Sequence, residues 1–119
     1  MWRVMGNCAL AILAGGLTTA EAVYAGLPTI NLFEKEEHKT IMSDLIKKGV
    51  CLDGGVFEKK SLKNTVKQVE NLYKNRKLLY KIRGLSNNIF DNKGVFQILN
   101  DLNTLFYEFN LKTKNLMIQ

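Results

Sequence analysis

The chain has 119 residues, of which 46% are hydrophobic and 24% are charged, and this balance predicts one soluble globular domain. No apolar run approaches the roughly 18 residues that a membrane-spanning helix needs. The two cysteines, Cys8 and Cys51, lack the spacing of a metal site, so buried free thiols and no metal are predicted. The net charge is +6, and the excess of basic residues lies in the second half of the chain. We interpret that half as solvated helix surface rather than a site for nucleic acid or an anionic membrane.

The predicted elements alternate between strands and helices and then become entirely helical. Apolar runs that stop at glycine or proline predict strands, and apolar residues at helical spacing predict helices. In chain order the prediction is a strand over Cys8–Ala14, a helix over Thr18–Ala25, a strand over Thr29–Phe33, a helix over 38–48, a strand over Val50–Leu52, a turn over Asp53–Gly55, helices over 58–73, 75–87 and 94–109, and a frayed tail over 110–119. In the helix over 94–109, Val95, Ile98, Leu99, Leu102, Leu105 and Phe106 are predicted to face inward.

This order of elements predicts an α/β fold with a small three-layer, Rossmann-like parallel sheet flanked by helices. No linker or repeat divides the chain, so residues 1–119 are predicted to form one domain. Three strands are few, because doubly wound domains usually have five or six. The N-terminal apolar run is too short and too interrupted for a signal peptide, and it is interpreted as a buried strand. We therefore expect the second half of a larger, truncated nucleotide-binding domain.

The stretch "AGGLTTAEAVYAGLPTI", residues 14–30, is the most informative part of the sequence. Gly15 and Gly16 lie between a predicted strand and a predicted helix, where free backbone N–H groups and the helix dipole favour an anion. The hydroxyls of Thr18 and Thr19 can add donors. One turn further, Glu21 can accept hydrogen bonds from a ribose diol. Together these groups suit a nucleotide diphosphate.

A purely structural interpretation of the same residues stays open at this point. Gly-Gly is a common tight turn between a strand and a helix. Thr18 as the N-cap and Glu21 three residues later also match a capping box. The pattern is neither G-x-G-x-x-G nor a P-loop. Spacing alone therefore does not decide between a ligand site and a capped helix.

Two segments resemble a known group of enzymes. "AILAGGLTTAEAVYAGLPTINLF" resembles the C-terminal nucleotide-sugar-binding half of GT-B-fold enzymes, in the order strand, G-G-x-T-x-x-E, small-residue helix, G-x-P, strand. "FDNKGVFQIL", Phe90–Leu99, is similar to the late D-G-K-G-x-x-x-I motif of one group, with Asn92 in place of a glycine. That group contains the UDP-sugar hydrolase of pseudaminic acid biosynthesis and the spore-coat polysaccharide proteins. The C-terminal domain of glycosyltransferase family 28 is a more distant likeness, and the resemblance covers about residues 9–102.

The resemblance implies a function and a set of site residues. It implies binding of the nucleotide diphosphate of a UDP-sugar, in a glycosyltransferase or UDP-sugar hydrolase of surface-glycan biosynthesis in the cytoplasm. The nucleotide-binding residues would be Gly15, Gly16, Leu17, Thr18, Thr19 and Glu21. No further cofactor is implied. An N-terminal domain or a separate subunit would complete the cleft and supply the catalytic base, so no catalytic residue is predicted in this chain.

The loop after the second predicted strand departs from the family pattern. It is "EKEEH", Glu34–His38, where the family usually has a polar pair near the sugar. Its glutamates would repel a diphosphate unless Lys35 or Lys39 intervenes. Lys35 and His38 are the candidate sugar contacts, although His38 also suits a surface position near a helix start. The alternative function is a non-catalytic interaction module, or a truncated remnant without activity.

Overall fold

The computed structural model describes the backbone of residues 2–118 and the side chains of residues 3–114. Its elements alternate as predicted through the first half of the chain and are helical in the second half. The strands are β1 (Ala11–Leu13), β2 (Thr29–Phe33) and β3 (Leu52–Val56). The helices are α1 (Trp2–Gly6), α2 (Leu17–Tyr24), α3 (Glu36–Ile41), α4 (Ser43–Lys47), α5 (Lys59–Lys74), α6 (Arg76–Ser86) and α7 (Gly94–Ile118).

The three described strands form one parallel sheet in the order β1-β2-β3. In the register, Leu13 of β1 lies opposite Asn31 of β2, and Asn31 lies opposite Asp53 of β3. The central strand β2 is almost wholly buried, as parallel strands covered on both faces usually are. Helices flank this sheet, so the predicted small Rossmann-like α/β fold is confirmed.

Two small apolar clusters hold the helices on the sheet. Ile30 of β2 packs with Leu72 of α5 and Ile82 of α6, and all three side chains are at most 2% exposed. The second cluster joins α1 to α2 through Met5, Ala22 and Leu27. These contacts fix α2 against the sheet with its first residues at the carboxyl end of β1.

The N-terminal strand is shorter than predicted. The run from Cys8 to Ala14 contributes only Ala11–Leu13 to the sheet, and a short helix, α1, precedes it. Cys8 lies before the strand and is exposed, contrary to the prediction, whereas Cys51 is buried as predicted. Ile12 of β1 is 52% exposed, so this strand is not covered on both faces.

The segment Asp53–Gly55 is strand rather than the predicted turn. A Cβ at Gly54 would lie 2.7 Å from the carbonyl oxygen of Asn31 on the neighbouring strand. This glycine therefore permits a close approach between β2 and β3, which is another common use of glycine inside a sheet. The predicted helix over 38–48 is also divided, into α3 and α4, with Met42 between them.

The last helix runs further than predicted and packs differently. The expected frayed tail is helical as far as Ile118. Every residue from Gly94 to Lys112 is exposed, so the prediction that its apolar residues face inward was wrong. Among the described residues, no helix is both long and apolar enough to cross a membrane.

Candidate functional site

The turn between β1 and α2 depends on two glycines. Gly15 has φ +96°, and a Cβ there would lie 3.0 Å from the ring of Phe33. Gly16 has φ 77° and ψ −153°, a combination that is essentially restricted to glycine. A Cβ on Gly16 would meet nothing within 4 Å, so the space above this residue is open. The turn thus presents bare backbone at the carboxyl end of β1.

The first turn of α2 has no side-chain cap. Gly16 is the N-cap residue, and the first hydrogen bonds to its carbonyl oxygen come from the N–H groups of Thr19 and Ala20. The N–H groups of Leu17 and Thr18 precede those bonds and have no acceptor within the helix. The capping box predicted from Thr18 and Glu21 is therefore absent, because the N-cap is Gly16, two residues before Thr18.

Thr19 faces inward and supports the turn from below. Its side chain is fully buried, and its hydroxyl donates a 2.8 Å hydrogen bond to the Oδ1 atom of Asn31. The Nδ2 atom of Asn31 is buried without a hydrogen-bond partner in the described structure. Thr19 was predicted to line the phosphates, but the structure commits its hydroxyl to β2. Sequence analysis missed Asn31, although a polar residue inside the apolar strand "TINLF" was a signal for it.

A pocket of about 310 Å³ opens above the glycine turn. Ala14, Gly15 and Gly16 form one side of it, and Glu34, His38 and Ile41 form the other. The structure thus brings His38, predicted only as a possible sugar contact, directly to the predicted phosphate turn. This end of a parallel sheet is where ligands of open α/β folds bind.

A larger pocket, of about 750 Å³, lies along the exposed face of α2. Glu21 lines it together with Leu17, Ala20 and Tyr24, and the opposite wall is the segment from Ile89 to Val95. The ring of Phe90 meets the ring of Tyr24 edge-on, with their centroids 6.1 Å apart. The two sequence motifs, roughly seventy residues apart in the chain, therefore meet in one pocket beside the start of α2.

The late motif keeps a glycine-like backbone despite its sequence difference. Asn92, which stands where the motif that this segment resembles has glycine, adopts φ 61°. Asparagine enters this left-handed region more readily than other non-glycine residues. Beside it, the Oδ1 atom of Asp91 accepts a 3.0 Å hydrogen bond from the N–H group of Lys93. Asp91 is thus a turn residue.

The two lysines near the acidic loop have different surroundings. Lys39 forms an ion pair with Asp53 at 2.8 Å and a longer one with Glu36 at 3.8 Å. The hydrogen bond and charge of Asp53 raise the pKa of Lys39, so this lysine is held toward β3. Lys35 is exposed at the N-cap of α3 and lines neither pocket described above. Of the two candidate sugar contacts, the structure places only His38 beside the turn.

Within residues 2–118, no group of three or more His, Cys, Asp or Glu side chains could hold a metal ion. We found no matching protein-family model, no similar curated protein and no similar solved structure. The function of this chain is therefore inferred from the local geometry around α2.

Proposed function

We propose that this chain binds the nucleotide diphosphate of a UDP-sugar at the start of α2. The observation that carries the proposal is the meeting of three features there. The glycine turn leaves an uncapped helix N-terminus, Glu21 follows one turn later, and the segment Phe90–Val95 closes the pocket on which Glu21 lies. These features suit a diphosphate and a ribose held about one helical turn apart.

In the proposed complex, the diphosphate lies above Gly15 and Gly16. The N–H groups of Leu17 and Thr18 and the positive end of the helix dipole stabilise its charge. The carboxylate of Glu34 lines the same pocket and opposes the diphosphate, but this side chain is exposed, and in water two unit charges 4 Å apart repel by only about 1 kcal/mol. The nucleoside lies in the larger pocket, where Glu21 accepts hydrogen bonds from the ribose hydroxyls.

The proposed site needs a second protein surface for chemistry. His38 is the one titratable imidazole of the chain, and the described pockets offer no pair of groups arranged as acid and base. We propose that a further domain or subunit supplies the base and acceptor site of a glycosyltransferase or UDP-sugar hydrolase in surface-glycan biosynthesis. The half-exposed strand β1 offers an edge where such a partner can pack. Both cysteines are free thiols, as is usual for proteins of the reducing cytoplasm, where we propose that this enzyme acts.

Titration calorimetry with UDP tests the proposal through Glu21. The Glu21→Ala variant should bind UDP about tenfold more weakly or worse, because hydrogen bonds to charged groups contribute about 1.5–3 kcal/mol. Glu70→Ala is the matched control, since it removes an exposed glutamate from α5 and should bind like the wild type. Equal affinity in all three proteins, or a wild-type chain that does not bind UDP at millimolar concentration, would contradict the proposal.

A second function, as an interaction module, is favoured by a different observation. The exposed apolar residues of α7 form a surface that a solvated monomer rarely presents. These residues lie together along one helix instead of being scattered over the surface. An interaction through them would not require the proposed nucleotide site.

A further inference from the structure

The helix α7 carries an apolar stripe with no covering layer in the described chain. Seven large side chains recur along it at spacings of three and four residues, and their exposed fractions run from 45% to 68%. They are Val95, Ile98, Leu99, Leu102, Leu105, Phe106 and Phe109, called here the α7 stripe. No charged residue interrupts the stripe.

We propose that the α7 stripe pairs with the same stripe of a second copy of this chain, as an antiparallel two-helix coiled coil. The proposal does not depend on nucleotide binding. A heptad repeat fits the stripe if Leu99, Phe106 and Thr113 are placed at its a positions and Val95, Leu102 and Phe109 at its d positions. This repeat spans 19 residues, just under three heptads, with apolar residues at five of the six positions, and it favours helix pairing with side chains interdigitated.

The surface of the stripe is large enough for a stable dimer. At these exposed fractions, the two phenylalanines offer about 200–300 Å² per chain, since an aromatic side chain carries about 150–250 Å², and the five aliphatic side chains bring the stripe to roughly 600 Å² at the areas implied by their transfer free energies. Stable protein interfaces bury about 600–1,000 Å² on each partner. A lone helix in water gains little from its own hydrogen bonds, so this burial would also stabilise α7.

Charge favours the antiparallel orientation. The helix holds two acidic and two basic residues, Asp101, Glu108, Lys112 and Lys114, so its net charge is zero and the whole +6 of the chain lies in residues 1–93. A parallel pair would place the two positively charged segments of residues 1–93 side by side. An antiparallel pair places them at opposite ends of a helix about 37 Å long, which exceeds the screening length of roughly 8–10 Å in salt.

The pattern also predicts a register. If the two helices cross over at residue 104, Val95 lies opposite the partner's Thr113, and Leu99 lies opposite the partner's Phe109. Leu102 then lies opposite the partner's Phe106. Every a position meets a d position, as antiparallel helix pairs require.

Sedimentation equilibrium of the full chain tests the pairing. The wild type should sediment as a dimer in the micromolar range, and Phe106→Glu should shift it to monomer. Tyr107→Glu is the matched control: it changes the neighbouring residue, which is 67% exposed against 65% for Phe106 but lies off the stripe, and it should leave the dimer intact. A wild-type chain that is monomeric up to millimolar concentration, or equal dissociation by both variants, would overturn the proposal.

Cross-linking with a short bis-maleimide tests the orientation. In a Cys8→Ser background, Val95→Cys alone should give no covalent dimer, whereas a mixture of Val95→Cys and Thr113→Cys chains should give one. Efficient cross-linking of Val95→Cys to itself would indicate a parallel pair and overturn the antiparallel assignment.

Discussion

At the scale of single residues, Gly16 sets where α2 begins. Its φ of 77° and ψ of −153° allow the chain to leave β1 and enter the helix without a capping side chain. The prediction of Thr18 as N-cap followed the usual preference for hydroxyl side chains. It failed because two adjacent glycines let the backbone turn earlier than a hydroxyl cap would require.

Substitution of Gly16 should therefore act through backbone strain alone. Because a Cβ on Gly16 meets no atom within 4 Å, Gly16→Ala should lower the free energy of unfolding by about 1–3 kcal/mol through its φ and ψ. Gly84→Ala is the matched control: Gly84 lies in α6, and a Cβ there also meets nothing. This control should raise stability by up to about 1 kcal/mol. Urea denaturation measures both, and a loss of stability in Gly84→Ala as large as in Gly16→Ala would contradict the argument.

The thiol of Cys51 links stability to pH. Burial raises the pKa of Cys51 from 9.0 to about 11. Above pH 9 the thiol of the unfolded chain ionises, whereas the folded chain keeps its proton until about pH 11. The free energy of unfolding should therefore fall across this window, by on the order of 2 kcal/mol.

Urea denaturation at several pH values isolates this contribution. The decrease assigned to Cys51 should disappear in Cys51→Ala and persist in Cys8→Ser, because Cys8 is exposed. The comparison uses the slope with pH, so a constant loss of stability in Cys51→Ala does not affect it. An unchanged slope in Cys51→Ala would show that the Cys51 thiol does not cause the decrease.

At the scale of elements, the long helices were the most predictable. The apolar spacing of residues 58–73 and 75–87 anticipated α5 and α6 to within about one residue. The short elements were less predictable. An apolar run such as Cys8–Ala14 can be a strand along its whole length or only over its last residues. Gly54 belongs to β3 because it lies against the backbone of β2, a neighbour that the local sequence does not reveal.

The start of α5 has a side-chain cap that the sequence analysis did not single out. The Oγ atom of Ser61 accepts a 2.8 Å hydrogen bond from the N–H group of Glu58 and donates one to the carbonyl oxygen of Glu58. Ser61→Ala should lower the free energy of unfolding by about 1 kcal/mol, because it leaves that N–H group unsatisfied. Ser43→Ala, at the start of α4, serves as the control and should change stability by less than about 0.5 kcal/mol. Thermal unfolding separates the two, and equal melting temperatures would refute the role of Ser61.

At the scale of the whole molecule, the sequence predicted the three-stranded parallel sheet and the glycine turn at the end of β1 better than the packing of the last helix. The turn at Gly15 and Gly16 lies at the carboxyl end of β1 because strand order and direction place it there. The amphipathic pattern of α7 indicated that one face needs covering. It could not indicate whether the cover comes from the same chain, and in the described structure it does not.

The position of Thr19 illustrates the same limit within the site. Its spacing after the glycines suited a phosphate ligand, yet its hydroxyl is bound to Asn31, twelve residues later. Only the three-dimensional neighbour reveals that choice. His38 illustrates the reverse case, since its place beside the glycine turn strengthens a weak sequence prediction.

The most direct test of the account is a two-dimensional amide NMR titration of the full chain with UDP. The account predicts well-dispersed peaks, with shifts concentrated in Gly15–Glu21, in residues 34–38, and in the segment Phe90–Val95. Shifts that saturate in these three segments and are absent from α5 and from residues 96–118 of α7 would localise the ligand at the start of α2. Dispersed peaks that stay unchanged in those three segments at millimolar UDP would contradict the proposed nucleotide site.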